Sequence, residues 1–190
     1  MPKLWNETIE THRSQVRDAI LDTTAALVFE HGLRAVTMSQ IAEQTGIGRA
    51  TLYKYFPDVD AILHAWHARQ IDAHLRQLAQ ARDGAGSSGD RLTAVLTAYT
   101  HIARQTRSHD TDLVKFLHPD EQIAAAQNQL HDMVRQLIAD AAAAGELRAD
   151  IPPGELANYC LHALSAAAGL SSDAALTRLV TLTTTALQAP

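Results

Sequence analysis

Apolar and small residues at Val16, Ile20, Thr24, Leu27 and Val28 recur at the three-and-four spacing of one helical face, and the pattern stops at Gly32. This predicts a first helix over roughly 11–31 with glycine just past its end. Thr37 and Gln40, three residues apart, form a capping box, with Val36 and Ile41 at the two positions of a hydrophobic staple. A second helix therefore starts at Thr37 and runs to about Gln44. Thr45-Gly46-Ile47-Gly48 breaks it, and Arg49–Tyr55 forms a third short helix ended by Phe56-Pro57. From Asp58 the positions Ile62, Leu63, Trp66, Ile71, Leu75 and Leu78 carry a long helix to about Arg82, opened by acidic residues that suit a helix N-terminus. Residues 83–90, Asp-Gly-Ala-Gly-Ser-Ser-Gly-Asp, have loop composition. Further helices are predicted at about 91–107, 110–117, 120–144, 155–169 and 172–187, the last two following Gly145 and Ile151-Pro-Pro-Gly154. Neither strand-like alternation nor an internal repeat is present.

Composition agrees with this pattern: 46% of the 190 residues are hydrophobic, and only 6 Pro and 9 Gly interrupt them. The expected fold is all-α, about nine helices, with a three-helix segment over 1–57 and a larger helical domain over 58–190. A lone cysteine, Cys160, excludes an intrachain disulfide and any multi-cysteine zinc site, which suits a reducing cytoplasm. Met1–Glu10 is polar, and no stretch approaches the roughly 20 apolar residues of a membrane span. The expectation is a soluble cytoplasmic protein with no membrane partner.

The net charge of −5 argues at first against nucleic acid, but it is unevenly placed. Residues 1–56 are neutral, with six basic groups (Lys3, Arg13, Arg17, Arg34, Arg49, Lys54) against six acidic ones. The remainder carries the entire excess, an asymmetry that points to two jobs in one chain.

Two helices that meet steeply through a short turn need a small residue at the crossing, a glycine able to take positive φ, and apolar contacts between them. Ala42, Gly46 and the set Ile41, Ile47, Leu52 and Phe56 meet those needs within twenty residues. On the third helix the side chains expected to point outward are Arg49, Thr51, Tyr53, Lys54 and Tyr55, with no acid among them. Such groups bond to base edges and phosphates: Arg49 to a guanine edge, Thr51 and the Ala50 methyl to thymine methyls, and the tyrosines and Lys54 to phosphates. An ordinary helical hairpin with solvent-facing Tyr and Lys is the competing reading.

Thr37–Phe56, TMSQIAEQTGIGRATLYKYF, resembles the helix-turn-helix of the TetR family of one-component repressors, which carries a G-(V/I)-x-x-x-T-(L/I)-Y-x-(Y/H)-F run. Ala25–Phe29, His31 and Gly32 resemble that family's first helix and entry turn, and the likeness extends from Val16 to Asp60. The resemblance implies operator DNA as partner, bound as a homodimer through Thr37, Gly48, Arg49, Ala50, Thr51, Tyr53, Lys54 and Tyr55. It also implies release when a small-molecule effector binds the larger domain. Two departures stand out. Gly48 occupies a position where the family often has a serine cap, and Val59 one where many members carry a phosphate-contacting lysine.

In the C-terminal region Ala163, Ala166, Ala167, Gly169 and Ala175 lie among Leu161, Leu164, Leu176, Leu179, Val180 and Leu187. Small residues let helices approach closely, so helices across 155–187 are the expected dimer interface; core helices of the monomer are the alternative. Candidate ligand contacts are the aromatic or polar residues on otherwise apolar stretches: Trp66, His67, His74, Tyr99, His101, Phe116 and Tyr159. Asp60, His64 and His67 share one face of the fourth helix at a spacing that can bind a divalent metal, although ten histidines make chance spacing common and no metal site is assigned. No phosphate loop, nucleophile elbow or cysteine motif indicates an enzyme, and no cofactor is expected. The second reading is a helical ligand- or metal-binding module that keeps the helix-turn-helix scaffold but no longer binds DNA.

Overall fold

The computed structural model describes residues 2–84, 86–107 and 121–188. Among these, every regular element is a helix. There are eight α-helices: α1 Pro2–His31, α2 Met38–Thr45, α3 Arg49–Tyr55, α4 Val59–Asp83, α5 Ser88–Arg107, α6 Glu121–Ala143, α7 Pro153–Ser165 and α8 Asp173–Thr185. Short 3-10 turns at Leu33–Ala35 and Ala166–Gly169 follow α1 and α7. The all-α expectation is met. The helix predicted at 110–117, and with it Phe116, lies outside the described residues.

The chain divides into two compact units, the first reaching Gln70 and the second starting at Ile71. In the first, α1 buries Ile20, Leu21, Thr24, Ala25, Leu27 and Val28 on one face, the spacing that its sequence pattern requires. They meet Val36, Met38, Ile41, Ala42, Leu52, Phe56, Ile62, Leu63 and Trp66 in one core. The buried hydroxyl of Thr24 donates to the Ile20 carbonyl at 2.8 Å, so the one polar side chain on that face is satisfied. The α1 helix begins about nine residues before the predicted start, at Pro2, a residue whose missing N–H costs nothing in a first turn.

In the second unit α5, α6, α7 and α8 enclose a separate core. It contains Leu92, Val95, Leu96 and Ile102 from α5, Val134, Leu137 and Ile138 from α6, Leu156, Ala157, Cys160 and Leu164 from α7, and Val180 from α8. Polar contacts lock the helix ends. The Glu146 carboxylate accepts from the Gly89 N–H at 2.7 Å and the Ser87 hydroxyl at 3.1 Å, capping α5 from beyond the far end of α6. Arg104 of α5 pairs with Asp173 in the first turn of α8 at 2.7 Å. Ser172 caps α8 by accepting from the Ala175 N–H. The helix predicted over 155–169 ends earlier as α-helix, its last four residues tightening to 3-10 form.

Candidate nucleic-acid interface

The capping box at Thr37 is formed in full. The Thr37 N–H donates to Gln40 Oε1 at 2.9 Å, and Thr37 Oγ1 accepts from the Gln40 N–H at 3.4 Å. At the other end of α2, Gly46 closes the helix in the left-handed conformation, φ 73° and ψ 23°. The Ile47 N–H then reaches back to the Ala42 carbonyl at 3.1 Å and the Gly46 N–H to the Glu43 carbonyl at 3.1 Å, closing a Schellman motif. Only a residue without a Cβ takes this conformation freely, so Gly46 sets the direction in which the chain leaves α2.

Gly48 starts α3 in extended conformation and its carbonyl accepts from the Thr51 and Leu52 N–H groups at 2.9 and 3.0 Å. Leu52 and Phe56 are buried and Ile47 half-buried, which presses α3 onto the core along one edge. The opposite face carries Arg49, Ala50, Thr51, Tyr53 and Lys54, all exposed, Tyr53 at 49%. Gly48 is exposed at the head of this face.

One of the proposed contact residues is placed differently from expectation, and a second has its polar groups already engaged. Tyr55 is half-buried and packs against the first core, because it follows Leu52 by three residues and shares its face. Thr37 is exposed, but its hydroxyl donates to Gln40 Oε1 at 2.8 Å, so its proton is already engaged within the capping box. Val59 is also explained by packing. It sits half-buried against the core at the start of α4, while Asp58 Oδ1 caps that helix by accepting from the Ala61 N–H at 2.8 Å.

Two arginines that periodicity does not single out hold α1 in place. Arg69 of α4 bonds to Asp18 at 3.0 Å and also to Asp22, on successive turns of α1. Burial opposes its charge, but the hydrogen bonds to Asp22 and Asp18 outweigh it and raise the guanidinium pKa. The i, i+4 spacing of Asp18 and Asp22 is the signal that could have found this brace. Arg17 lies over the Phe56 ring, 5.4 Å from its centroid.

The ligand candidates fall in both units. Trp66 is buried in the first core, edge-on to Phe29 with centroids 5.7 Å apart, which is a packing role. His67 is half-buried in the same unit. In the second unit His74 and His101 are half-buried, Tyr99 packs against the core with its phenol pKa pushed up by burial, and Tyr159 is exposed. Asp60 and His64 are exposed, and among the described residues no group of three or more His, Cys, Asp or Glu is arranged to hold a metal. Nor is any helix among them long and apolar enough to cross a membrane.

A short helix set across α2 by a Schellman turn, presenting Arg49, Thr51, Tyr53 and Lys54, defines a helix-turn-helix DNA-binding domain. Residues 20–66 match the family model of bacterial regulatory proteins of the tetR family, so this segment is similar to the DNA-binding part of those regulators. An uncharacterized helix-turn-helix regulator from Mycobacterium bovis is 26% identical over 103 residues, covering 54% of this chain and 51% of that protein. The transcriptional repressor KstR from Rhodococcus jostii is 28% identical over 127 residues, covering 66% of this chain and 58% of the repressor. The chain thus spans little more than half the length of these curated relatives. Among solved structures, a TetR/AcrR family regulator from Thermobifida fusca superposes with a TM-score of 0.74 at 21% identity, covering 88% of this chain and 96% of the other. The regulator FadR from Bacillus subtilis, solved with stearoyl-CoA, superposes with a TM-score of 0.65 at 13% identity, covering 90% and 98%. Likeness at these identities establishes the fold.

Proposed function

We propose that this chain is a transcriptional repressor that binds operator DNA as a homodimer and is released by a small molecule held in its larger helical domain. The observation that carries the DNA half of this reading is the outward face of α3, where Arg49, Ala50, Thr51, Tyr53 and Lys54 stand exposed with no acid between them. In this reading residues 1–57 read DNA and 58–190 sense the effector and dimerise. Arg49 takes a guanine edge, Ala50 and Thr51 take thymine methyls, and Tyr53 and Lys54 take phosphates. Gly48 permits close approach at the head of α3, and Thr37, its N–H and hydroxyl both engaged with Gln40, contributes by fixing the start of α2. Tyr55 serves by packing more than by contact.

The dimer is assigned to α7 and α8. Tyr159 and Leu182 are 44% and 69% exposed there, both large apolar side chains that a second copy can cover. The relative KstR is a repressor, which supports repression, and FadR holds stearoyl-CoA on the same fold, which supports an effector. Neither identifies this chain's own effector. Energetically, an effector that prefers the released state by about 1–3 kcal/mol produces a modest response. The family consists of regulators, and no enzyme activity is proposed.

The test is a binding-shift assay on promoter fragments at low and physiological salt, with the wild-type chain and the double variant Arg49→Ala/Tyr53→Phe. The expected result is a salt-dependent, sequence-selective shift that the double variant loses while its circular dichroism stays native. A double variant that keeps full affinity contradicts the assignment of α3 as the reading helix.

A further inference from the structure

Resting on the DNA-binding reading, we infer that Arg17 of α1 is a second, sequence-independent phosphate contact, held beside the C-terminal end of the recognition helix by the Phe56 ring. Three features of the structure converge on it. Its guanidinium lies over Phe56, 5.4 Å from the ring centroid. Phe56 is the residue that directly follows α3, its N–H bonded to the Leu52 carbonyl at 3.0 Å and its side chain 5% exposed. The position of Arg17 is thereby tied to the end of α3, two residues from Lys54.

Stacking on a ring engages the face of a guanidinium and leaves its in-plane N–H groups free to donate. Arg17 is exposed and, among the described residues, forms no ion pair. The planar fork of an arginine in that state matches the geometry of a phosphate. The neighbouring Asp18 and Asp22 both bond to Arg69 and not to Arg17. Arg17 therefore keeps its own N–H groups available for a phosphate beside the recognition helix. This supplies a cation at a point where the start of α4 offers only the half-buried Val59 between Asp58 and Asp60.

A phosphate contact is independent of base sequence, so the probe is a fluorescein-labelled duplex of mixed sequence, about 25 base pairs long, titrated by anisotropy across a salt series. The variants are Arg17→Gln, Arg17→Lys and, as a charge control in the second unit, Arg76→Gln. Arg17→Gln is expected to weaken binding roughly fivefold at low salt and to reduce the slope of log K against log salt by about 0.9 for each phosphate that a bound copy no longer neutralises. Arg17→Lys keeps the slope, and Arg76→Gln leaves both unchanged. If Arg17→Gln unfolds, Arg17→Met, which keeps the apolar stem without the charge, takes its place: a lowered slope supports the contact and an unchanged slope overturns it. Arg17→Gln with unaltered affinity and slope but a lowered melting temperature reduces Arg17 to a packing residue and overturns the inference alone. A wild-type chain with no salt-dependent binding overturns the DNA-binding reading and this inference with it.

Discussion

Gly32 and Gly46 both have positive φ, yet they should answer differently to the same pair of substitutions. Gly46, at φ 73° and ψ 23°, lies in the left-handed helical region; Gly32, at φ 84° and ψ 154°, lies in a region essentially reserved for glycine. A Cβ added at either meets no atom within 4 Å, so the cost is backbone strain and not collision. For Gly46→Ala the strain is about 1–2 kcal/mol, offset by about 0.4–1 kcal/mol from the reduced freedom of the unfolded chain, which leaves a net loss of about 1 kcal/mol. Asparagine tolerates the left-handed helical region, so Gly46→Asn should lose less than half of that. At Gly32 the strain is about 1–3 kcal/mol for alanine, and asparagine gives no relief because ψ lies far from the region it tolerates. The assay is urea unfolding monitored by Trp66 emission in a Trp5→Phe background, so that the signal comes from the first core, with stability compared at constant m. Gly46→Asn as damaging as Gly46→Ala, or Gly32→Asn clearly milder than Gly32→Ala, would refute the assignment of strain to these two backbones.

Other outcomes follow from the caps, the buried thiol and the exposed apolar face. Thr37→Ala removes one side of the capping box and should cost about 1 kcal/mol, whereas Gly48→Ser should gain a few tenths, since a Cβ at Gly48 meets only Thr51 Oγ1, at 3.9 Å; urea midpoints check both signs. Burial pushes the Cys160 thiol up to about 12 from an ordinary 9.0, so the folded state holds its proton longer than the unfolded one. Its contribution to stability is therefore whole below pH 9 and is lost as the pH climbs towards 12, a decline that Cys160→Ala should flatten in alkaline unfolding curves. The same thiol should resist a thiol-specific reagent at pH 8 until urea unfolds the second unit. Leu182→Asp should convert the sedimenting species from dimer to monomer and weaken DNA binding with it; an unchanged sedimentation coefficient counts against α7 and α8 as the interface.

Much of the first unit was legible because its signals are local. The box at Thr37 and Gln40, the turn glycine Gly46 and the apolar set Ile41, Leu52 and Phe56 each act within a few residues of chain, where periodicity and capping chemistry apply directly. Tyr55 was misplaced because outwardness on a seven-residue helix depends on how far the core wraps around it, and Leu52 draws Tyr55 inward. Arg17 and Arg69 were not legible because their partners are 39 and 47 to 51 residues away; the i, i+4 pair Asp18 and Asp22 marks an acidic face of α1 but does not name the cation that meets it. Trp66 looked like a ligand contact for the same reason. An aromatic on an apolar stretch is ambiguous until its neighbours are known, and here they are Phe29 and the core of the first unit. The second unit was legible as helices but not as a binding site, since an effector pocket is a property of tertiary packing.

The most direct test of the account is selection of bound duplexes from a random-sequence pool by the purified chain at physiological salt. The account predicts enrichment of an inverted repeat whose half-site centres lie about 10 base pairs or a multiple of that apart, as two copies of α3 in successive major grooves require. It also predicts that the Arg49→Ala/Tyr53→Phe variant recovers no such repeat. A wild-type pool that stays random after repeated rounds, or an enriched site without dyad symmetry, would contradict it.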